Sequence, residues 1–313
     1  MSAIIVWIAR WIVVEDGVKF IIGLHDEFKK YNPFNANVGK LFANGRFLRK
    51  TSSYEHVPIF WFENYFTQEG VHNLACAGCE ITLYLTVLYY GFILLLVQYM
   101  KDRPPYSLKT ALFLWNLGLA IFSVFGAWRI GQEFFARLST EGFTQTVCLL
   151  PNEFTPTTFW MIAFALSKIV EFGDTIFVVL RKRPLIFLHY YHHAAALIYA
   201  FHSGAHVSAT GVVFALMNYA VHVLMYSYYA ISALGIRLPK PLAMTITTLQ
   251  TVQMFAAVGI TIYAYYLKAF TDTFCQVYFS NLHLAFFIYV TFAALFLRFF
   301  YGTYVEKKKV KQQ

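Results

Sequence analysis

Long apolar segments, separated by short polar turns, run through most of this chain. Each segment is close to the roughly 20 residues that a helix needs to cross a bilayer. The segments lie at 80–99, 110–130, 157–180, 185–202, 207–232, 241–267 and 277–301. Charged or proline-containing turns separate most of them, such as KDRPPYS at 101–107 and PNEFTPT at 151–157. The pattern predicts an all-α, polytopic membrane protein with about seven transmembrane helices.

The chain divides into three parts on this pattern. Residues 79–303 form the predicted membrane domain, and residues 304–313 form a lysine-rich tail. The remaining part, residues 1–78, begins with an apolar stretch that four charged side chains interrupt. Such a stretch favours a helix lying at the membrane interface over an eighth span. We therefore expect residues 1–78 to be lumenal or interfacial.

Composition supports the membrane class. The chain is 58% hydrophobic and only 13% charged, whereas a soluble domain carries about 25% charged residues. The net charge of +9 comes from loops and the tail. Nothing in this distribution points to nucleic-acid binding.

Basic residues in the short loops predict the orientation, because such residues concentrate on the cytosolic side. They follow the first, third and fifth predicted helices and recur in the tail: Lys101, Arg103, Arg181, Lys182, Arg183, Arg237, Lys240, Lys307, Lys308, Lys309 and Lys311. Seven spans place all of them on one side. The C-terminus should therefore be cytosolic.

The four cysteines fall into two pairs. Cys148 and Cys275 lie in the predicted second-to-third and sixth-to-seventh loops, both lumenal by this topology. Disulfides persist in that compartment, so we expect these two to be bonded. Cys76 and Cys79 form a lone CxxC at the start of the first span, and we interpret them as packing residues.

Four consecutive spans carry polar stripes in otherwise apolar sequence. Their members recur at steps of three or four, which places each stripe on one helical face: Lys168, Glu171, Asp174 and Thr175; His189, His192 and His193; Asn218, His222, Tyr226 and Tyr229; Gln250 and Gln253. Ionisable groups inside a bilayer are costly and usually functional. The stripes lie at matching depth in the cytosolic half, so we expect them to converge.

Structural explanations compete with function for several of these residues. Gln250 and Gln253 could bond neighbouring helices, and Glu171 and Asp174 could simply neutralise Lys168. His202, His206 and His283 lie near helix ends or a loop and suit structural or interfacial roles. Three histidines on one face are much harder to explain by packing.

The HxxHH spacing of 189–193 is also that of a histidine box in membrane di-iron oxygenases and desaturases. Those enzymes need roughly eight histidines from several boxes. Here His202 and His206 form an HxxxH, a second HxxHH is absent, and His222 is the only further histidine at the same depth. A di-iron desaturase or hydroxylase is thus the alternative enzyme class. The non-enzyme alternative is a seven-helix receptor or transporter.

The chain resembles the fatty-acid elongase family, the 3-oxoacyl-CoA synthases of the endoplasmic reticulum. The matching motifs are KIVEFGDT at 168–175, LRKRPLIFLHYYHH at 180–193, NYAVHVLMYSYY at 218–229 and TTLQTVQM at 247–254. The resemblance covers residues 107–301. It implies condensation of an acyl-CoA with malonyl-CoA, releasing CoA and carbon dioxide, with no bound cofactor and no metal.

The resemblance also implies residue roles. No cysteine lies in the polar layer, so His192 is expected to be the nucleophile that accepts the acyl group. The donors for the enolate, or proton relays, would be Asn218, His222, Tyr226 and Tyr229. Glu171 and Asp174 would orient the cluster, and His189 and His193 would hold or tune His192. Lys168, Gln250 and Gln253 complete the expected catalytic layer.

Substrates, partners and location follow from the same resemblance. The basic loop Arg181, Lys182 and Arg183 offers charge to the phosphates of CoA, although it could serve only to orient the chain. The tail has lysines at the third and fifth positions from its end, and this pattern resembles an endoplasmic-reticulum retrieval signal. Expected partners are membrane lipids and the separate 3-oxoacyl-CoA reductase, dehydratase and enoyl reductase. The oligomeric state, a homodimer included, is left open.

The motifs look most like those of the branch that acts on saturated and monounsaturated chains. With the thioester at the cytosolic end, the acyl tail would run lumenward between the core helices. We expect side chains at the far end of this tunnel to limit product length. The candidates are Phe159, Trp160, Tyr199, Val212 and Tyr263.

Overall fold

The computed structural model describes residues 57–63, 68–151 and 155–306. Within these ranges the regular secondary structure is helical throughout. The predicted interfacial helix at the start of the chain and the tail lysines 307–311 lie outside the described residues. The predicted all-α fold is confirmed.

The described residues form eight α-helices and a terminal π-helical turn. We label them α1 (Gln68–Met100), α2 (Lys109–Cys148), α3 (Pro156–Val170), α4 (Phe172–Leu180), α5 (Phe187–Ala205), α6 (Thr210–Ala233), α7 (Lys240–Phe270) and α8 (Phe279–Phe300), with the π-turn at Tyr301–Glu306. Helices α3 and α4 are separated only by Glu171, whose φ of −58° and ψ of −17° remain helical. The two therefore form one interrupted pass, and the described chain makes seven passes.

Five of these helices are individually long and apolar enough to cross a membrane: α1, α2, α6, α7 and α8. The other two passes carry the charged and histidine stripes. The third is divided at Glu171 into pieces of 15 and 9 residues. The fourth, α5, has 19 residues and includes the histidine stripe. The protein is thus a multi-pass membrane protein.

Two helices extend beyond the predicted apolar segments. Helix α1 begins at Gln68, before the segment predicted at 80–99. Helix α2 continues beyond the predicted end at 130 as far as Cys148, with a break at Gly142, where φ is 81°. Cys148 is therefore the last residue of a helix, and its predicted place in a loop was wrong. The extension is polar, and its arginine is bonded within the protein: Arg137 donates to the carbonyls of Gln145 and Leu149 at 3.1 and 2.8 Å.

The bundle has two ends, which we name by their loops. At the basic-loop end, the Tyr106 N–H donates to the carbonyl of Leu180 at 3.0 Å, beside residues 181–183. At the disulfide end, Cys148 is bonded to Cys275, and the Gln276 N–H donates to the carbonyl of Cys148 at 2.7 Å. The long passes alternate in direction between these two ends.

Helix α5 occupies the middle of the bundle and contacts α1, α3, α4, α6 and α8. Glycines allow the close approach of its neighbours: a Cβ at Gly78 of α1 would overlap the ring of Phe201 on α5. Aromatic side chains fill the space between α5, α6 and α8, where Tyr199, Phe214 and Tyr289 pack together. The helix that carries the histidine stripe therefore packs against five others.

A buried ion pair anchors the short segment that precedes α1. Glu63 and Arg129 of α2 are 0% and 1% exposed, and the arginine makes two bonds to the carboxylate, of 2.8 and 2.6 Å. The indole of Trp160 on α3 adds a third bond of 2.8 Å. Nothing in the local sequence pairs these three residues, which are far apart in the chain. No local pattern in the sequence predicts this buried ion pair.

Candidate active site

An elongated cavity runs along α5 between α3, α6, α7 and α8. At one end it is lined by Lys168, His192, Asn218 and Gln253. At the other end it is lined by Ala75, Pro151, Gly204 and Ser208, which lie toward the disulfide end. From His192 to Gly204 the helix rises by about 18 Å. The intervening wall is largely apolar, with Met161, Phe164, Val212, Met254 and Tyr289 among its side chains.

A buried lysine donates the hydrogen bonds that connect residues on one side of the polar layer. The Lys168 ammonium, on the last turn of α3, donates to Glu171 Oε1 at 2.7 Å and to Asn218 Oδ1 at 2.8 Å. Asn218 Nδ2 lies 3.3 Å from His222 Nε2, one turn further along α6. His222 Nδ1 lies 3.8 Å from the same Glu171 oxygen. The structure therefore joins four of the predicted site residues in one connected network, across α3, the α3–α4 junction and α6.

Asp174 organises the other side. Its Oδ1 accepts a bond of 2.7 Å from the indole N–H of Trp115, and its Oδ2 accepts one of 2.8 Å from the hydroxyl of Tyr226. His193 Nε2 lies 3.9 Å from Oδ2. Trp115 approaches so closely because Gly173 has no side chain: a Cβ there would overlap the indole ring. Two strong donors hold this carboxylate in place beside the histidine face.

The three histidines of α5 have different surroundings. His189 Nε2 lies 2.9 Å from the hydroxyl of Thr175, which is 2.6 Å from the hydroxyl of Tyr89 on α1. The rings of His189 and His193 are 4.5 Å apart between centroids, so these two form a pair facing α4. His192 lies on the other flank, against the rings of Phe292 and Phe296 of α8 at 4.6 and 5.9 Å.

His192 is the member of the three that lines the cavity. Its Nδ1 is buried, and no hydrogen-bond partner for it occurs among the described residues. The Oε1 atom of Gln253, which lines the same end of the cavity, is likewise buried and unpartnered within the described chain. Buried polar atoms are nearly always satisfied in folded proteins, so these two atoms in one cavity are open to bonding by a ligand or by water.

Two of the predicted site residues lie apart from these networks. Tyr229 is 48% exposed and its ring contacts Tyr228, so the structure does not bring it to the Asp174 or Lys168 groups by any described hydrogen bond. Gln250 donates to the sulfur of Met225 at 3.2 Å and does not line the cavity. Its arrangement fits the alternative interpretation, in which it bonds a neighbouring helix.

The basic loop after α4 lies beside the loop that precedes α2. Residues Arg181, Lys182 and Arg183 line a shallow hollow together with Pro105, Tyr106 and Ser107. Lys182 has a φ of +50° and donates to the carbonyl of Lys101 at 3.1 Å. Three basic side chains thus border an open surface at the same end of the bundle as the polar layer.

Three of the five side chains predicted to limit the tunnel do not line it. Trp160 is turned toward Glu63, Phe159 packs on Phe62, and Tyr263 lies 2.6 Å from the hydroxyl of Thr144. Only Tyr199 and Val212 belong to the cavity wall. Sequence position gave the correct depth for these residues, but the direction of each side chain depends on how its helix is rotated.

The described residues contain no group of three or more His, Cys, Asp or Glu side chains arranged to hold a metal ion. His189, His192 and His193 face different neighbours. The HxxxH of α5 is also engaged: His202 Nδ1 lies 3.0 Å from Asn281 Nδ2, and His206 Nε2 lies 3.3 Å from Ser280 Oγ.

Sequence reasoning missed several contributors to the site. Three side chains outside the polar stripes each form a hydrogen bond with a residue of those stripes: Trp115, Tyr89 and Ser167. Ser167 could have been found, because it precedes Glu171 by one helical turn. Trp115 and Tyr89 lie on other passes, and aromatic residues are so frequent in this chain that no local signal distinguishes them.

Seven passes enclosing a polar, histidine-bearing layer at one end of an apolar cavity define a multi-pass membrane protein. The chain belongs to the ELO family, described as GNS1/SUR4, whose profile matches residues 75–312. It is 51% identical over 229 residues to a Caenorhabditis elegans protein named "Putative fatty acid elongase 4", covering 73% of this chain and 79% of that one.

Two mammalian proteins to which this chain is similar are also named as fatty acid elongases. Identity to human very long chain fatty acid elongase 3 is 39% over 233 residues, covering 73% of this chain and 86% of that one. Identity to mouse very long chain fatty acid elongase 6 is 37% over 249 residues, covering 79% and 93%. The resemblance noted in the motifs is therefore confirmed at the level of the family.

Proposed function

We propose that this protein is a 3-oxoacyl-CoA synthase that condenses a long-chain acyl-CoA with malonyl-CoA, the first step of fatty-acid elongation. The observation that carries the proposal is the unpartnered, buried Nδ1 of His192 in the wall of an apolar cavity. The names of the relatives support the reaction class. Saturated or monounsaturated chains are the proposed substrates, in keeping with the motif resemblance.

In the first half-reaction, a nitrogen of the neutral His192 imidazole attacks the thioester carbonyl carbon. A carbon–nitrogen bond forms, the carbon–sulfur bond breaks, and CoA leaves after its sulfur takes up the proton that the imidazole releases from its other nitrogen. The acyl group is then held as an acyl-imidazole, with its hydrocarbon tail in the cavity. The aromatic rings of Phe292 and Phe296 fix the orientation of the imidazole.

In the second half-reaction, malonyl-CoA loses carbon dioxide, and the electrons of the broken carbon–carbon bond form an enolate. The enolate carbon attacks the acyl carbon, the carbon–nitrogen bond breaks, and the imidazole is restored when its ring takes up one proton from water. Donors aimed at the enolate oxygen lower the barrier for this step. Lys168, Asn218 and Gln253 line the same end of the cavity as His192, and they are the groups we assign to this role.

The carboxylates act through other residues. Glu171 accepts hydrogen bonds from Lys168 and Ser167, and Asp174 accepts them from Trp115 and Tyr226. Neither carboxylate lines the cavity. We therefore assign them positioning roles, with His193 and His222 as the imidazoles they orient and His189 fixed by Thr175.

The pose of the substrate follows from the two ends of the bundle. The CoA phosphates would lie at the basic-loop end, near Arg181, Lys182 and Arg183, and the acyl chain would extend toward the disulfide end. With the basic loops cytosolic, the site faces the compartment that contains both CoA substrates. The proposed location is the endoplasmic reticulum membrane, where the reductase, dehydratase and enoyl reductase would process the product.

The test is an assay of purified protein with acyl-CoA and malonyl-CoA labelled with ¹⁴C at its free carboxyl carbon. The expected result is release of labelled carbon dioxide together with a 3-oxoacyl-CoA two carbons longer, in the absence of any reductant. Metal analysis of the same sample addresses the desaturase alternative. Stoichiometric iron together with oxygen-dependent conversion, and no condensation product, would overturn the proposal.

A further inference from the structure

Two hydroxyl groups lie in the wall of the cavity beyond the polar layer around His192. Tyr199 and Ser203 are one turn apart on α5, both line the cavity, and each is 6% exposed. The Tyr199 hydroxyl interacts with Ser203, and neither oxygen has a partner in full hydrogen-bonding geometry among the described residues. A buried hydroxyl without a partner is unfavourable, so a pair of them in a binding cavity points to a ligand atom that completes their bonding.

The two side chains are held in place by their neighbours. The Tyr199 ring packs between Tyr289 and Phe214, with centroid distances of 5.6 and 6.2 Å. Ser203 lies against Gly211 of α6, where an added Cβ would come within 2.9 Å of its Oγ. The absence of a side chain at Gly211 therefore makes the room that the serine hydroxyl occupies. Both hydroxyls belong to a packed wall, which is what a selective subsite requires.

Their distance from the reacting end can be given in carbon atoms. Along α5, Tyr199 and Ser203 lie about 10 and 16 Å beyond His192. An extended acyl chain advances by about 2.5 Å for every two carbons, so this interval corresponds to roughly the ninth to thirteenth carbon of the chain.

We propose that Tyr199 and Ser203 form a polar subsite for an acyl chain that carries a hydroxyl group near the middle, at about the ninth to thirteenth carbon. The inference rests on the proposed function, because the position is counted from a thioester at His192. The ligand class is thus a mid-chain hydroxylated fatty acyl-CoA. An unsubstituted chain would pass the same point, leaving the two hydroxyls with only each other.

The physical basis is a difference in desolvation. A substrate hydroxyl that enters a purely apolar tunnel loses its bonds to water and gains nothing, whereas the same group beside Tyr199 and Ser203 exchanges bonds with them. Sites that hydrogen-bond a substrate hydroxyl discriminate far more strongly than apolar pockets do. The wild-type tunnel should therefore accept the hydroxylated chain, and a tunnel without these two hydroxyls should reject it.

The experiment compares 12-hydroxyoctadecanoyl-CoA with octadecanoyl-CoA in the full-length protein. The variants are Tyr199→Phe, Ser203→Ala and their combination, which remove oxygen atoms and leave the packing almost unchanged. Ser123→Ala is the matched control, because Ser123 is also a buried helical serine but bonds Leu119 within α2 and does not line the cavity. The measured quantity is the ratio of kcat/KM for the hydroxylated chain to kcat/KM for the unsubstituted one.

The expected result is a ratio that falls about tenfold or more in the combined variant and stays unchanged in Ser123→Ala. An 18-hydroxy chain, whose hydroxyl lies beyond the subsite, should show no such dependence on the variants. The same ratio in the wild-type and combined variant proteins would overturn the subsite, and would mean that water or no ligand satisfies the two hydroxyls.

Thermal shift measurements separate this inference from the proposed reaction. If neither chain is condensed, the proposed function fails, and the subsite is then judged by binding alone. The hydroxylated acyl-CoA should stabilise the wild-type protein more than the unsubstituted one, and the combined variant should lose that difference. Equal stabilisation of both proteins by both ligands would overturn the subsite independently of catalysis.

Discussion

The indole N–H of Trp115 donates a bond of 2.7 Å to Oδ1 of Asp174, and the adjacent Gly173 leaves the space that the indole ring fills. The glycine and the carboxylate are neighbours in the chain, whereas the tryptophan comes from a different pass. One contact therefore couples the orientation of the histidine-facing carboxylate to the packing of α2 against α4.

Gly173→Ala should disrupt this contact. The added methyl group overlaps the indole, so Trp115 must move and Asp174 loses a charge-assisted bond of about 1.5–3 kcal/mol. We expect condensation activity to fall by about tenfold or more, which an assay with labelled malonyl-CoA would measure. Trp115→Phe removes the donor without the overlap and should give a similar loss.

Gly118→Ala is the control for the Gly173→Ala and Trp115→Phe variants, since no side chain lies within 4 Å of the Cβ that it would add. Gly118 is also on α2, one turn from Trp115. Normal activity in Gly118→Ala and a loss in both other variants is the expected pattern. If Gly173→Ala retains full activity, the Trp115 bond does not position Asp174 for the reaction.

His192→Ala should abolish condensation while the protein stays folded. Removing a nucleophile typically lowers the rate by about 10³-fold or more. Incubation with acyl-CoA alone, followed by mass spectrometry, should locate an acyl adduct on residue 192 of the wild-type protein. His283→Ala is the matched control, because His283 is an exposed histidine on α8 outside the cavity. An adduct on any other residue would refute the assigned nucleophile.

Glu63→Gln should destabilise the protein without touching the cavity. Burial alone would raise the pKa of Glu63, but the bonds from Arg129, the Phe60 amide and Trp160 outweigh it and leave the pKa below its ordinary value. Breaking a buried pair by neutralising one partner costs about 3–5 kcal/mol. Thermal unfolding in detergent would report the loss, with Glu80→Gln, an exposed site on α1, as the control.

The pH dependence of that loss follows from the direction of the shift. A carboxyl group with a lowered pKa in the folded state stabilises the protein fully above its unfolded pKa of about 4.3, and the contribution disappears as pH falls through the folded value. The difference between wild-type and Glu63→Gln proteins should therefore be constant near neutrality and shrink in acid. A difference that grows on acidification would contradict the assigned charge state.

Val212 should influence product length from the cavity wall. Val212→Phe fills space near the disulfide end, and packed interiors do not absorb such volume cheaply. We expect products to become shorter by one or two elongation steps, as read by gas chromatography of products from a fixed acyl-CoA. Tyr263→Ala is the control, because Tyr263 lies at the same end but faces Thr144. Unchanged lengths in Val212→Phe with activity retained would place the tail elsewhere.

The Cys148–Cys275 bond should contribute to stability and report orientation. It closes a loop across 127 positions of sequence, and disulfides typically stabilise by about 2–4 kcal/mol. Cys148→Ser should lower the unfolding temperature, whereas Cys76→Ser, at a free cysteine, should not. In sealed microsomes, an impermeant maleimide should label the reduced pair only after the membrane is opened. Labelling of intact vesicles would reverse the proposed topology.

The class of fold and the existence of the polar layer can be predicted from local sequence patterns. Apolar runs of bilayer length can only be helices, because the backbone must satisfy its own hydrogen bonds in lipid. Periodic placement of Lys168, His192 and Asn218 on single faces followed from helical geometry alone. The motifs around them were enough to indicate the family, which the matching profile then confirmed.

Which of these residues face the cavity depends on how the passes pack against one another. Neighbouring positions on one stripe differ in environment: His192 lines the cavity while His193 is turned toward Asp174, and Tyr226 bonds Asp174 while Tyr229 is exposed. The rotation of each helix about its axis sets these differences, and that rotation depends on packing between passes distant in sequence. The Trp115, Tyr89 and Glu63 contacts arise in the same way, since each joins segments that no local pattern connects.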